Sequence, residues 1–115
     1  MNQDDVAAFL TSIHRALKPG GVLGVEDHRA NTHAPQDPQA KNGYVRQDYA
    51  IALIEKAGFK FVGSSEIGGN PRDTADWPKG VWTLPPTYAL GAIDRAKYQA
   101  VGEGDNFVLK LIKVD

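Results

Sequence analysis

Ala16-Leu17-Lys18-Pro19-Gly20-Gly21-Val22-Leu23-Gly24-Val25-Glu26 passes from helix to strand within one turn. Pro19 cannot continue a helical hydrogen-bond ladder, and Gly20 and Gly21 permit the positive φ that a sharp exit needs. The run that follows is apolar without alternation, the pattern of a strand buried on both faces of a helix-covered parallel sheet. Upstream, Val6, Phe9, Leu10, Ile13 and Leu17 recur at helical spacing, and Gln3, Asp4 and Asp5 place acceptors and negative charge at the amino end. The spacing predicts an amphipathic helix leading into that strand.

Downstream, residues 31–43 have the Pro, Asn, Gln and Asp content of an exposed connection, with Pro35 and Pro38 in it. Asp48 is the expected N-cap of a second helix with Ile51, Ile54 and Ala57 on its inner face, and Gly58 stands where a left-handed C-terminal residue is needed. A strand is expected over 59–63. A last strand is expected over 107–114, where Phe107, Leu109 and Leu111 alternate with Val108, Lys110 and Ile112. Residues 67–106 form a long connection with a short helix expected over 94–101. Connections of that length are functional or disordered in compact domains, and the two Trp and two Tyr here argue against disorder.

A chain of 115 residues has room for one domain with a modest core, taken here as residues 1–115. Hydrophobic residues at 42% and charged residues at 23% describe a folding sequence rather than a disordered one. Thirteen basic and fourteen acidic residues are spread without a basic stripe, so nucleic acid is not an expected ligand. The absence of Cys removes disulfides, thiolate metal sites and thiol nucleophiles, and fits a cytoplasmic location. The start Met1-Asn2-Gln3-Asp4-Asp5 is acidic where a secretory leader is basic, and no segment reaches the ~20 apolar residues of a membrane span. No membrane partner is expected.

The step Ala16 through Val25 resembles the helix-turn-strand that leads into the fifth strand of class I S-adenosylmethionine-dependent methyltransferases. With Asp27-His28-Arg29-Ala30, Ala57-Gly58-Phe59, Asn70-Pro71-Arg72-Asp73, Lys79-Gly80-Val81-Trp82-Thr83-Leu84-Pro85-Pro86 and Phe107-Val108-Leu109-Lys110, the whole chain resembles the C-terminal half of one group of predicted bacterial members. The resemblance implies an α/β, partial Rossmann-like fold of about three strands, the family's fifth, sixth and seventh, with flanking helices. The seventh would run antiparallel between the other two.

In that family a Gly-rich strand-to-helix turn holds the methionine part of the donor, and an acidic residue holds its ribose. Neither can be placed here; Gly20-Gly21 and Gly68-Gly69 are not at the exit of a first strand and are read as turn residues. The chain is thus expected to be a truncated, substrate-side half of a transferase. Its family uses S-adenosylmethionine, whereas the chain alone is expected to bind no cofactor and to be inactive. The strand 22–26, from Val22 to Glu26, would then expose the edge a fourth strand normally covers. A homodimer through this edge is the expected remedy, with a separate donor-binding half as the other possible partner. The alternative reading is a non-enzymatic module that dimerises or binds a small ligand.

Asp27, His28 and Arg29 follow the carboxyl end of the first strand, where open α/β sheets place ligands. Asp27 and His28 are the catalytic candidates, His28 because imidazole, with a reference pKa of ~6.5, serves as a base near neutrality; the competing reading is that His28 merely caps the strand or bonds loop backbone. Asp27, His28 and His33 match no tight ligand spacing, so no metal is expected. His14 reads as a helix-surface residue. Arg29, Asn70, Asp73, Trp82 and Tyr88 are the substrate-side candidates, as a wall or lid over the sheet. For Trp82, with Trp77, Pro85 and Pro86, the stronger reading is that they pack the long connection against the sheet. No hydrolase triad or phosphate loop is present at workable spacing.

Overall fold

The computed structural model describes residues 3–31, 33, 35–37 and 39–114. Met1, Asn2 and Pro38, and the side chains of Gln3 and Asp4, on which parts of the sequence reading rest, lie outside that description. Helix α1 (Gln3–Ala16) leads to strand β1 (Val22–His28), helix α2 (Gln47–Lys56) and strand β2 (Phe59–Ser65). A 3-10 turn (Gly80–Thr83), helix α3 (Arg95–Val101) and strand β3 (Asn106–Lys113) complete the order.

The sheet is three-stranded in the order β1-β3-β2, and β3 is antiparallel to both neighbours. The last strand therefore sits in the middle, as the resemblance implied. Register runs Val22 opposite Ile112 to His28 opposite Asn106 on one side, and Phe59 opposite Lys113 to Ser65 opposite Val108 on the other, with a shift between Phe61 and Gly63. Alternation on β3 turns Phe107, Leu109 and Leu111 to the helices, where they are at most 1% exposed. They form one core with Leu10, Val45, Ala50, Ile54 and Phe59.

Three sequence readings are corrected. Strand β1 is not buried on both faces: Leu23 and Val25 are half-buried, while Val22, Gly24 and Glu26 face outward and Val22 is 55% exposed. Its continuous apolar run reflects a surface that nothing among the described residues covers. Asp48 is not the N-cap of α2; Arg46 holds that place in an extended conformation with no side-chain cap bond. Asp48 instead lies in the first turn and accepts hydrogen bonds from the Arg46 guanidinium and the Tyr49 backbone N–H, at 2.9 and 2.8 Å. Both donors hold its carboxyl below the usual carboxylate range, the Arg46 bond first. His14 is half-buried rather than a surface residue: Nε2 lies 3.0 Å from the Val114 carbonyl and the ring meets Phe59 edge-on.

The turn between α1 and β1 is built as its glycines require. Gly20 has φ of +77°, the Gly21 N–H reaches the Lys18 carbonyl at 2.8 Å, and Lys113 Nζ caps the helix at the Leu17 carbonyl. The long connection carries a second small core, in which Tyr44, Val81, Thr83, Leu84 and Tyr98 are all buried. Gly80 lies beside these residues with φ of +64°, and a Cβ added there would collide with the Asn42 backbone. Gly91 has nearly the same φ, +63°, but nothing around it. Left-handed strain costs roughly 1–2 kcal/mol for a residue with a Cβ, so Gly91→Ala is expected to cost about that much. Gly80→Ala adds a backbone collision and is expected to lose about 3 kcal/mol or more; paired urea melts of the two variants check the difference.

No helix among the described residues is long and apolar enough to cross a membrane.

Candidate functional site

Strand β1 runs two residues further than the sequence pattern indicates, so Asp27 and His28 are its last residues rather than a loop beyond it. Strand alternation then sends them to opposite faces. Asp27 borders the apolar groove between β1, α1 and α2, and its Oδ1 accepts the His28 backbone N–H at 2.7 Å. The His28 ring lies on the other side, in a pocket of about 150 Å³ with Val81, Trp82, Pro85, Pro86, Gly104 and Asn106. The two catalytic candidates therefore do not act on one atom.

His28 is held by its cross-strand partner. Its Nδ1 lies 2.6 Å from Asn106 Oδ1, and the Asn106 amide donates through Nδ2 to Glu26 Oε1 at 3.0 Å. A carboxylate only accepts, so the amide nitrogen must face Glu26 and the amide oxygen must face His28. Nδ1 is therefore the protonated nitrogen of the neutral ring. Tyr44 stands edge-on to the imidazole, with ring centroids 6.4 Å apart.

Arg29 ends β1 by pairing with Val45, and its backbone N–H donates to the Asp105 carbonyl. Its guanidinium donates to Glu66 Oε2 at 2.9 Å and to the Asn106 carbonyl at 3.1 Å, with Nε 3.2 Å from Asp105 Oδ2 in charge contact rather than hydrogen-bond geometry. The bond to Glu66 raises its pKa, against the opposing effect of burial, with the Asp105 charge adding to the rise. Arg29 thus ties the start of β3 and the loop after β2 to the end of β1. Asn70 is likewise spent on structure: its Nδ2 donates to the Val101 and Glu103 carbonyls, and its oxygen accepts the Arg72 N–H.

Asp73 is a buried hub, 8% exposed. Its carboxylate accepts from Tyr44 Oη at 2.9 Å, Trp77 Nε1 at 2.7 Å, and the backbone N–H groups of Ala75 and Asp105 at 2.9 and 2.8 Å. Tyr88 lies apart from the His28 pocket, its ring 3.8 Å beneath the Arg95 guanidinium. Of the substrate-side candidates, Trp82 shares a pocket with His28, while Arg29 and Asp73 border a neighbouring open cleft with Asn31 and His33. Among the described residues no three His, Cys, Asp or Glu side chains group as metal ligands.

Sequence reasoning missed Asn106, Glu26, Tyr44 and Asp105. Nothing local marks Asn106, because its meeting with His28 depends on a register set by strands 78 positions apart.

Burial pushes the Tyr44 phenol far above its ordinary range, and the Asp73 carboxylate pushes it further in the same direction. Below roughly pH 10 the phenol is protonated in folded and unfolded chains alike and its bond to Asp73 is fully present. Above that, the unfolded chain releases the proton first and stability falls by about 1.4 kcal/mol per pH unit from this group. Tyr44→Phe is expected to cost about 1 kcal/mol at neutral pH and to flatten that alkaline slope relative to the wild type, as read from denaturant melts across the range.

No protein-family model matches the sequence, and no curated protein matches it. Among solved structures the chain is similar to the [4+2]-cyclase SpnF, with a TM-score of 0.57 and 19% identity over 94% of this chain and 44% of that one. It is also similar to the S-adenosylmethionine dependent methyltransferase from Mesorhizobium loti, with a TM-score of 0.47 and 15% identity over 95% of this chain and 55% of that one. The chain spans about half the length of these two structures. The likeness to SpnF shows the fold: a small α/β, methyltransferase-like arrangement.

The described residues do not fit the donor used by methyltransferases. Both β1 and β2 run into long loops rather than through a glycine-rich turn into a helix. Gly68 and Gly69, which follow β2, accept the Asn106 N–H and close a turn onto the Glu66 carbonyl.

Proposed function

We propose that the chain is the substrate-side, C-terminal part of a class I methyltransferase of bacterial type, inactive alone and completed by a donor-binding part seated on β1. The observation that carries this reading is the uncovered flank of β1. That strand pairs with β3 on one side, and its other edge, bridged by Val45 only at its end, has no strand beside Val22 to Glu26 among the described residues. Next to it lies an apolar groove of about 440 Å³, walled by Val6, Phe9 and Ile13 of α1, Leu23 and Val25 of β1, and Leu53 of α2, with Phe107 below. Phe9 is 65% exposed. The Tyr49 hydroxyl is buried beside the groove without a hydrogen-bond partner among the described residues. An open edge, an apolar trough and an unmet polar group together describe a surface shaped to be covered.

The same flank favours a second reading. Two copies meeting edge to edge along Val22 to Glu26 would join their sheets about a two-fold axis, as in a dimeric module without methyl transfer. The reading frame upstream of Met1 tests the proposal. An open frame running into a strand followed by Gly-x-Gly-x-Gly supports it. An in-frame stop there, with a solution mass twice the chain's 12.5 kDa, favours the dimeric module.

A further inference from the structure

We infer that the His28 pocket binds a neutral, single-ring aromatic hydroxyl compound, a phenol, whose O–H donates to His28 Nε2 while Asn106 and Glu26 hold the imidazole in the required tautomer.

Four observations combine. The first is the direction of the hydrogen bonds. Glu26 fixes the Asn106 amide, Asn106 fixes the proton on Nδ1, and Nε2 is left as an acceptor with no partner among the described residues. The ligand must therefore bring a donor. The second is size: a space of about 150 Å³ equals that of a cavity known to admit benzene, so one ring fits. The third is shape. Trp82, 43% exposed, offers a flat indole face beside Pro85 and Pro86, in a lining that is otherwise largely polar and suits a ring carrying a hydroxyl. The fourth is charge: the lining includes Glu103 and no Lys or Arg, so phosphates and carboxylates have no counter-charge there.

Gly104 makes room for this arrangement. A Cβ there would come within 3.1 Å of His28 Nδ1 and 2.8 Å of a Val81 methyl carbon. A side chain there would press on both the Val81 methyl and the imidazole.

That such a phenol would be a methyl acceptor rests on the proposed function; the pocket and the tautomer do not, and the test below involves no methyl donor. Uniformly 15N-labelled chain is studied near pH 8.5, where free imidazole is neutral. Two-bond proton–nitrogen spectra are expected to give the His28 ring a protonated Nδ1 and an unprotonated Nε2, and Asn106→Ala is expected to abolish that preference. Titration with phenol is expected to move the Trp82 and His28 ring signals, with anisole, which lacks the donor, binding ~5–10-fold more weakly. Trp82→Ala, at an exposed site, is expected to remain folded and to lose the response to phenol. A His28 ring protonated on Nε2 in the wild type overturns the inference. So does equal affinity for phenol and anisole, or a phenol response confined to Leu23 and Val25 in the groove. Methyl transfer by the chain alone in a later assay would count against the proposed function and leave this binding site standing.

Discussion

Asp73→Ala is expected to lose about 4–6 kcal/mol, enough to unfold much of the chain at room temperature. The carboxylate gathers the Tyr44 hydroxyl, the Trp77 indole N–H and the backbone N–H groups of Ala75 and Asp105. Removing it strands four donors, and each buried donor left without an acceptor costs roughly 1–3 kcal/mol. The costs do not add fully, because the groups share one small volume and relax together. The remainder is still comparable with the whole stability of a domain, roughly 5–15 kcal/mol. Asp73→Asn keeps one acceptor oxygen but turns an NH₂ toward other donors, and is expected to lose about half as much. Chemical melts followed by Trp fluorescence, which reports on Trp77 beside the hub, give both values. A loss below about 1 kcal/mol for Asp73→Ala would show that the hub does not hold the long connection in place.

Phe107→Ala strikes the other core and is expected to lose about 3 kcal/mol, the low end of the range for Phe-to-Ala in a packed interior. The ring is fully buried on the central strand, with Leu109 and Leu111 along the same face. The low end applies because Phe107 also floors the apolar groove beside β1. The hole left behind opens toward water, so part of the cavity cost is relieved. Covering the groove with a partner should move the loss toward the upper end, about 5 kcal/mol. Circular dichroism melts of variant and wild type check the first value.

These two residues show how unevenly the fold can be read from the sequence. Phe107 announces itself: it begins a run in which every second residue is apolar, and the structure turns that face to the helices. The Lys18-Pro19-Gly20-Gly21 turn is equally legible, because proline and glycine act through the backbone alone. Asp73 was singled out only by resemblance and as part of a substrate wall. Its actual role, a buried acceptor for four donors, depends on Tyr44 and Asp105, 29 and 32 positions away. The strand β1 misled for a different reason. An uninterrupted apolar run signals burial on both faces, and the flank of β1 bordering the groove is one that only a further element can bury.

The candidate site follows the same rule. His28 was named from its place near a strand end, but its tautomer is set by Asn106, across the β1–β3 register, and by Glu26, two residues back on the same face. Asp27 and His28 stand on opposite faces because the strand outlasts its apolar run by two residues. Fold alone does not fix the reaction.

The central claim, that this chain supplies the acceptor side of a methyl-transfer fold and has no donor site of its own, is tested most directly by calorimetric titration of the purified chain with S-adenosylmethionine, with its mass measured by light scattering on the same sample. A folded chain with no saturable heat up to donor concentrations of about 1 mM is expected, a binding free energy weaker than about −4 kcal/mol. Saturable binding in the micromolar range, by monomer or dimer, would contradict it.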